Sequence, residues 1–184
     1  TFPAYLLGHN PSARIICLSY ASDLSHDFAR KCRALMNSQF YRDLFLATRI
    51  SAERDSVSDF VTTRRGHRIS TSVGGTLTGR GGDFVVIDDF HKPEEALSDT
   101  RRTGALQWFD NTLYSRLDDK NSGAIIIVMQ RLHLFDLVGQ MAVAGLAGAV
   151  TQHGQQHQQG RQALLAVDDD ELGQAGRGFG GGDN

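Results

Sequence analysis

The chain has 184 residues, 40% of them apolar and 22% charged, with a formal net charge of −2, which fits one domain with a real core and is too short for two. It holds no apolar run of membrane-spanning length, and the opening TFPAYLLGHNPSAR lacks the basic start and long apolar stretch of a secretory leader. Neither a membrane partner nor export is therefore expected, and the cytoplasm is the expected compartment.

Two cysteines, Cys17 and Cys32, supply neither a disulfide framework nor metal-ligand spacing and read as free, buried thiols. The seven histidines show no zinc spacing. The charge is uneven along the chain. Residues 142–184 hold two arginines and five acids, so residues 1–141 carry 17 basic against 16 acidic side chains, a net of +1. That balance neither demands nor excludes DNA.

In chain order, Phe2 to Leu7 reads as a helix end closed by GHNPS, and Arg14 to Tyr20 (RIICLSY) as a buried strand. Ser22 is placed to cap a helix of about 15 residues with Leu24, Phe28, Cys32 and Leu35 on one face. VSDFVTT and HRISTSV flank RRG as a hairpin. FVVID (84–88) is a second buried strand, and 98–117 an amphipathic helix capped by Ser98, with Leu106, Phe109, Leu113 and Leu117 on one side. GAIIIVMQ (123–130) is a further short strand. Apolar strands alternating with amphipathic helices predict an α/β fold whose mostly parallel sheet is covered on both faces. From residue 142 the composition changes: ten of the chain's twenty glycines and seven glutamines fall in this segment. Such a segment buries too little apolar surface to offset its ordering entropy, so a disordered or locally helical tail over 142–184 is expected.

The chemistry concentrates in GGTLTGRGGDFVVIDDF, residues 74–90. In parallel sheets ligands bind beyond the C-terminal strand ends, where Asp88 and Asp89 lie. An aspartate there suits Mg²⁺, which takes one or two carboxylates and completes its shell with water and phosphate; the neighbouring acid is placed to orient or deprotonate a water. This is the Walker B pattern, four apolar residues and then Asp–Asp. The glycines of the preceding loop, Gly79 among them, permit close backbone approach to a ligand, and Arg80 offers a permanent charge with fork geometry for phosphate. A mobile loop with one solvated arginine is the plainer alternative. Gln130, just past an apolar strand, suits a phosphate or a water, or is an ordinary polar strand end. The basic turn Arg64, Arg65, His67, Arg68 suits a DNA backbone or is a solvated hairpin tip.

The ordered segments SVGGTLTGRGGDFVVIDDFHKPEEA, TRRTGALQWFDNTLYSRLDDK and GAIIIVMQRLHLFDLVGQ resemble the large terminase subunit of tailed bacteriophages and prophages, the ATP-driven motor that packages DNA. PSARIICLSYASDLSHDFARKCRALM is similar to the strand and helix that follow its P-loop. The resemblance covers roughly residues 1–141. It implies an additional-strand, RecA-like P-loop NTPase core, with ATP and Mg²⁺ as cofactors. It further implies Asp88 as magnesium ligand, Asp89 as catalytic acid, Arg80 as an arginine finger acting in its own subunit or a neighbour's, Gly79 in the nucleotide-facing loop, and Gln130 in the coupling motif. The partners implied are double-stranded DNA, a small terminase subunit, a portal protein and further copies in a ring, inside a bacterial host.

The sequence also departs from the family. It has no GxxxxGK[ST], and its three lysines, Lys31, Lys92 and Lys120, lie in other contexts. The RNase H-like nuclease domain of the family has no counterpart here, and Leu134 and Phe135 stand where acids usually follow MQRLH. The expectation is a partial ATPase domain over 1–141, close to inactive alone, followed by a tail read out of frame. Another P-loop DNA motor such as a helicase, and a non-catalytic remnant or interaction module, are the competing readings.

Overall fold

A computed structural model describes residues 2–77 and 79–142, together with the backbone of 163–167. The elements are α1 (Phe2–His9), β1 (Arg14–Ser19), α2 (Ser22–Asn37), α3 (Gln39–Leu44), β2 (Ile50–Asp55), β3 (Asp59–Thr62), β4 (His67–Ser72), β5 (Phe84–Asp88), α4 (Pro93–Ala96), α5 (Asp99–Trp108), β6 (Ala124–Val128) and β7 (Ala163–Val167). α5 runs on through a π turn, Phe109–Leu113, and a 3-10 turn, Tyr114–Arg116.

The strands form one sheet in the order β2-β3-β4-β1-β5-β6-β7. β4, β1, β5, β6 and β7 are parallel, and the β2–β3–β4 meander is antiparallel. The expected α/β architecture with a mostly parallel sheet between helices is thus what the chain adopts.

Alternation along the central strands divides the core. Ile16, Leu18, Val85, Ile87, Ile125 and Ile127 face Phe109, Leu113 and Leu117 of the α5 segment. Trp108, the chain's single tryptophan, packs against that same layer. Ile15, Cys17, Phe60 and Val86 face Ala4 and Leu7 of α1, Cys32 and Met36 of α2, and Tyr41 of α3. Among the described residues no helix is long and apolar enough to cross a membrane.

Several local expectations are corrected. α2 buries Ser25, Ala29, Cys32 and Met36 rather than the stripe through Leu24 and Phe28. Small side chains let this helix lie close to the sheet, which outweighs the burial of its larger apolar residues. Ala21, not Ser22, occupies the N-cap of α2, and the Ser22 hydroxyl donates instead to Ser72 Oγ at 3.1 Å. Ser98 stands at the N-cap of α5 without a side-chain cap bond. α3, β2 and α4 were not anticipated: each is short, and β2, with the burial pattern of an exposed edge, has no apolar alternation to announce it. β7 falls in the Gly/Gln-rich segment and pairs with β6; the remainder of the expected tail lies outside the described residues.

Tyr41 ties the helical layer together, its hydroxyl donating to Ala4 O at 2.7 Å. Burial, with a smaller contribution from Cys32 partly offset by Arg49, pushes its phenol from 10 up to about 12. A phenol harder to ionise in the folded state contributes stability that is intact below its unfolded pKa and is lost as pH rises through the folded one. Urea unfolding of the wild type is therefore expected to weaken between pH 10 and about 12 more steeply than that of Tyr41→Phe. Equal slopes in the two proteins would contradict this role.

Candidate functional site

The parallel register sets Ser19 of β1, Ser72 of β4 and Asp88 of β5 side by side at the C-terminal edge of the sheet, with Asp88 also beside Val128 of β6. Asp88 is half-buried and, two residues after Val86, lies on the α2 face of the sheet. Gln130 is exposed two residues beyond Val128. Asp88, Asp89 and Gln130 are thus brought to one edge by two adjacent strands.

Asp89 leaves the sheet in a left-handed conformation, φ 53°. Aspartate tolerates this region better than most residues, at a cost of order 1 kcal/mol. Two backbone bonds hold the turn: Asp89 N–H donates to Val128 O and Tyr20 N–H to Asp89 O, both at 2.8 Å. The strained residue thereby links the ends of β1, β5 and β6. Beyond it, Lys92 Nζ lies 5.6 Å from the Tyr20 ring centroid, which puts a cation at the same edge.

The sequence did not single out three polar residues here. Ser19 Oγ is fully buried and has no hydrogen-bond partner, beside Asp88 in the register. His91 is buried with Nε2 unpartnered, and burial, more than its surrounding charges, lowers its pKa. Asp136, 0% exposed, organises the segment after Gln130. It accepts from Leu132 N–H at 3.0 Å, His133 N–H at 3.2 Å and Gly139 N–H at 2.9 Å, and pairs with Arg131 at 3.1 Å. Burial alone would raise its pKa, but those amides and Arg131 outweigh burial and hold it below the ordinary value. The Asp-x-x-Gly spacing opening the helical residues 137–142 is the sequence signal that could have found it.

Arg80 lies elsewhere. The loop after β4 returns to the N-terminal edge, where Asp83 N–H donates to Arg14 O at 2.7 Å and His67 Nε2 approaches Gly81 O at 3.3 Å. Arg80 Nη2 is 2.9 Å from Asp59 Oδ2 on β3, while Gly79 (φ 68°) turns the chain with open space around its α-carbon. Asp59 stands opposite Ile69 in mid-strand, and β3 is three strands from β5. The Arg80 guanidinium is therefore not beside Asp88, Asp89 and Gln130. Arg68, part of the expected basic turn, is not solvated but almost wholly buried.

The edge presents carboxylate oxygens and a buried hydroxyl. Among the described residues no group of three or more His, Cys, Asp or Glu could enclose a metal unaided. One strand-tip carboxylate and a second beside it are oxygen donors of the kind that hard cations take.

Asp136→Ala should lower unfolding free energy by about 2–3 kcal/mol, the loss of a cap plus unpaired buried amides. Because its folded pKa is lowered, the stability Asp136 supplies is present above its ordinary 3.8 and is lost as pH falls below that value. The acid limb of a stability profile should flatten in the alanine variant, and an unchanged limb would refute this. At Asp89, replacement by glycine should relax the left-handed turn whereas alanine should cost about 1 kcal/mol, a ranking thermal unfolding can check. No protein-family model matches the chain, and no curated protein matches it.

Proposed function

We propose that this chain carries the magnesium edge of an ATP site in a P-loop NTPase core of the kind found in large terminase subunits, whose activity is ATP-driven movement of double-stranded DNA. The observation that carries this reading is the convergence of Asp88, Asp89 and Gln130 on one end of adjacent parallel strands, with the unpartnered Ser19 hydroxyl beside them. The order of the terminase-like segments along residues 1–141 supports it.

In this reading Asp88 holds Mg²⁺, which neutralises charge on the phosphates. In the complete motor Asp89, fixed in its strained turn, would orient the attacking water and accept its proton. Gln130 contacts the terminal phosphate, and Asp136 holds the backbone that presents Gln130. Arg80, paired with Asp59 three strands away from β5, acts on the site of a neighbouring copy, which makes the ring of subunits a requirement of the chemistry. DNA, a small terminase subunit and a portal protein are the partners of this motor.

The sequence has no GxxxxGK[ST], so this chain lacks the lysine and backbone amides that cradle the β- and γ-phosphates. Binding without turnover is the expected behaviour. Millimolar Mg–ATP should raise the melting temperature of the wild type and not that of Asp88→Asn, with no phosphate release by either protein. Absence of any magnesium-dependent shift in the wild type would sink the reading. Phosphate release abolished by Asp88→Asn would instead overturn the assignment of an incomplete site.

A further inference from the structure

A cleft of about 530 Å³ opens on the α2 face of the sheet, within the size range of small-molecule sites. Phe2, Pro3, Phe28, Val86, Ile126 and Val128 make its walls apolar. Two buried polar groups line it: Arg68 and Ser25, each 2% exposed. Arg68 Nη1 donates to Ser70 Oγ, but Arg68 Nε and Ser25 Oγ have no hydrogen-bond partner.

A guanidinium cannot shed its charge, and burying it without a counter-ion costs several kcal/mol. Among the described residues no salt bridge within 4.0 Å joins Arg68 to a carboxylate, and Asp88, the carboxylate on the same lining, has interactions of its own. The nearby thiol does not compensate, since burial pushes Cys17 up to about 11 and keeps it neutral. The charged side chains on the lining are Arg68, Lys31 and Asp88, two cations against one carboxylate. The cleft therefore has apolar walls, one net positive charge, and two unsatisfied donors.

We propose that this cleft binds a small monoanion with an apolar body, an aromatic or aliphatic carboxylate, whose anionic group is held by Arg68 Nε and Ser25 Oγ. The body lies against Phe28, Ile126 and Val128, and Lys31, stacked on Phe28 at the mouth, adds attraction from the solvent side. Asp88 shares the lining and repels the ligand, so the carboxylate seats toward Arg68 and away from the strand tip. This site does not depend on the nucleotide reading, because Arg68 and Ser25 hold the ligand and Asp88, which both sites share, is not one of its contacts.

Calorimetric titration with phenylbutyrate and with the uncharged phenylbutanol tests it. The wild type should bind the acid at least ~10-fold more tightly than the alcohol, as expected for charge-assisted hydrogen bonds in a dry site. Arg68→Met should erase that preference and Ser25→Ala should reduce it. Should Arg68→Met fail to fold by circular dichroism, the acid–alcohol comparison in the wild type and in Ser25→Ala decides the matter. Asp88→Asn should tighten phenylbutyrate while abolishing the Mg–ATP response, so the two sites fail separately. Equal affinity for acid and alcohol in the wild type, no binding of either, or a preference undiminished in Ser25→Ala would overturn the proposal.

Discussion

Parallel pairing of β1 with β4 on one side and β5 on the other is the constraint from which the rest of the molecule follows. All three strands run in one direction, so their ends collect at one edge and their starts at the other. Side chains there leave the core in register: Ser19, Ser72 and Asp88 form a row at one end, and Arg14, His67 and the segment around Asp83 a row at the other. The chemistry of an edge is therefore decided by which loop returns to which end. The loop between β4 and β5 must travel the length of the sheet, and it carries Arg80 away from the aspartates that follow it by only a few residues in sequence.

The same pairing explains why charged groups appear inside the fold. Residues 68 and 88 lie on one face because alternation has period two, and that face is covered by a helix presenting Ser25, Ala29 and Cys32. A helix with small residues along its contact line lies close to the strands at one place and leaves space where its larger side chains diverge. The cleft beside Phe28 is that space. Charge at its floor is the consequence of a strand, β4, whose sequence HRISTS places arginine where its neighbours place isoleucine and phenylalanine.

The sequence disclosed the parts of the fold whose periodicity is strong. FVVI and AIIIV are apolar without interruption, β5 burying Val85, Val86 and Ile87 and β6 burying Ile125 and Ile127, and the α5 pattern through Phe109, Leu113 and Leu117 identifies its buried side. The face of α2 was misjudged because hydrophobicity alone favours Phe28 over Ala29, whereas proximity to a sheet favours the smaller side chain. β2 went unseen because an edge strand exposed along ERD has polar residues at successive positions. The strand-tip aspartates were legible from position alone. Ser19 and Asp136 were not, since a hydroxyl or carboxylate gains meaning only when its partners, or their absence, are known in three dimensions. Arg80 shows what linear order leaves out: it precedes Asp88 in the sequence, yet its guanidinium pairs with Asp59 of β3, three strands away from β5.

Trp108 packs on the α5 layer, whereas Tyr41 and Cys17 lie in the helical layer across the sheet. Each layer thus carries its own spectroscopic reporter, with indole emission following one side and ionisation of the buried Cys17 thiol and Tyr41 phenol the other. The sheet is a shared wall between two separately observable cores. Whether loosening on the α2 side is felt on the α5 side becomes a measurable property of the strands between them, without adding any label to the protein.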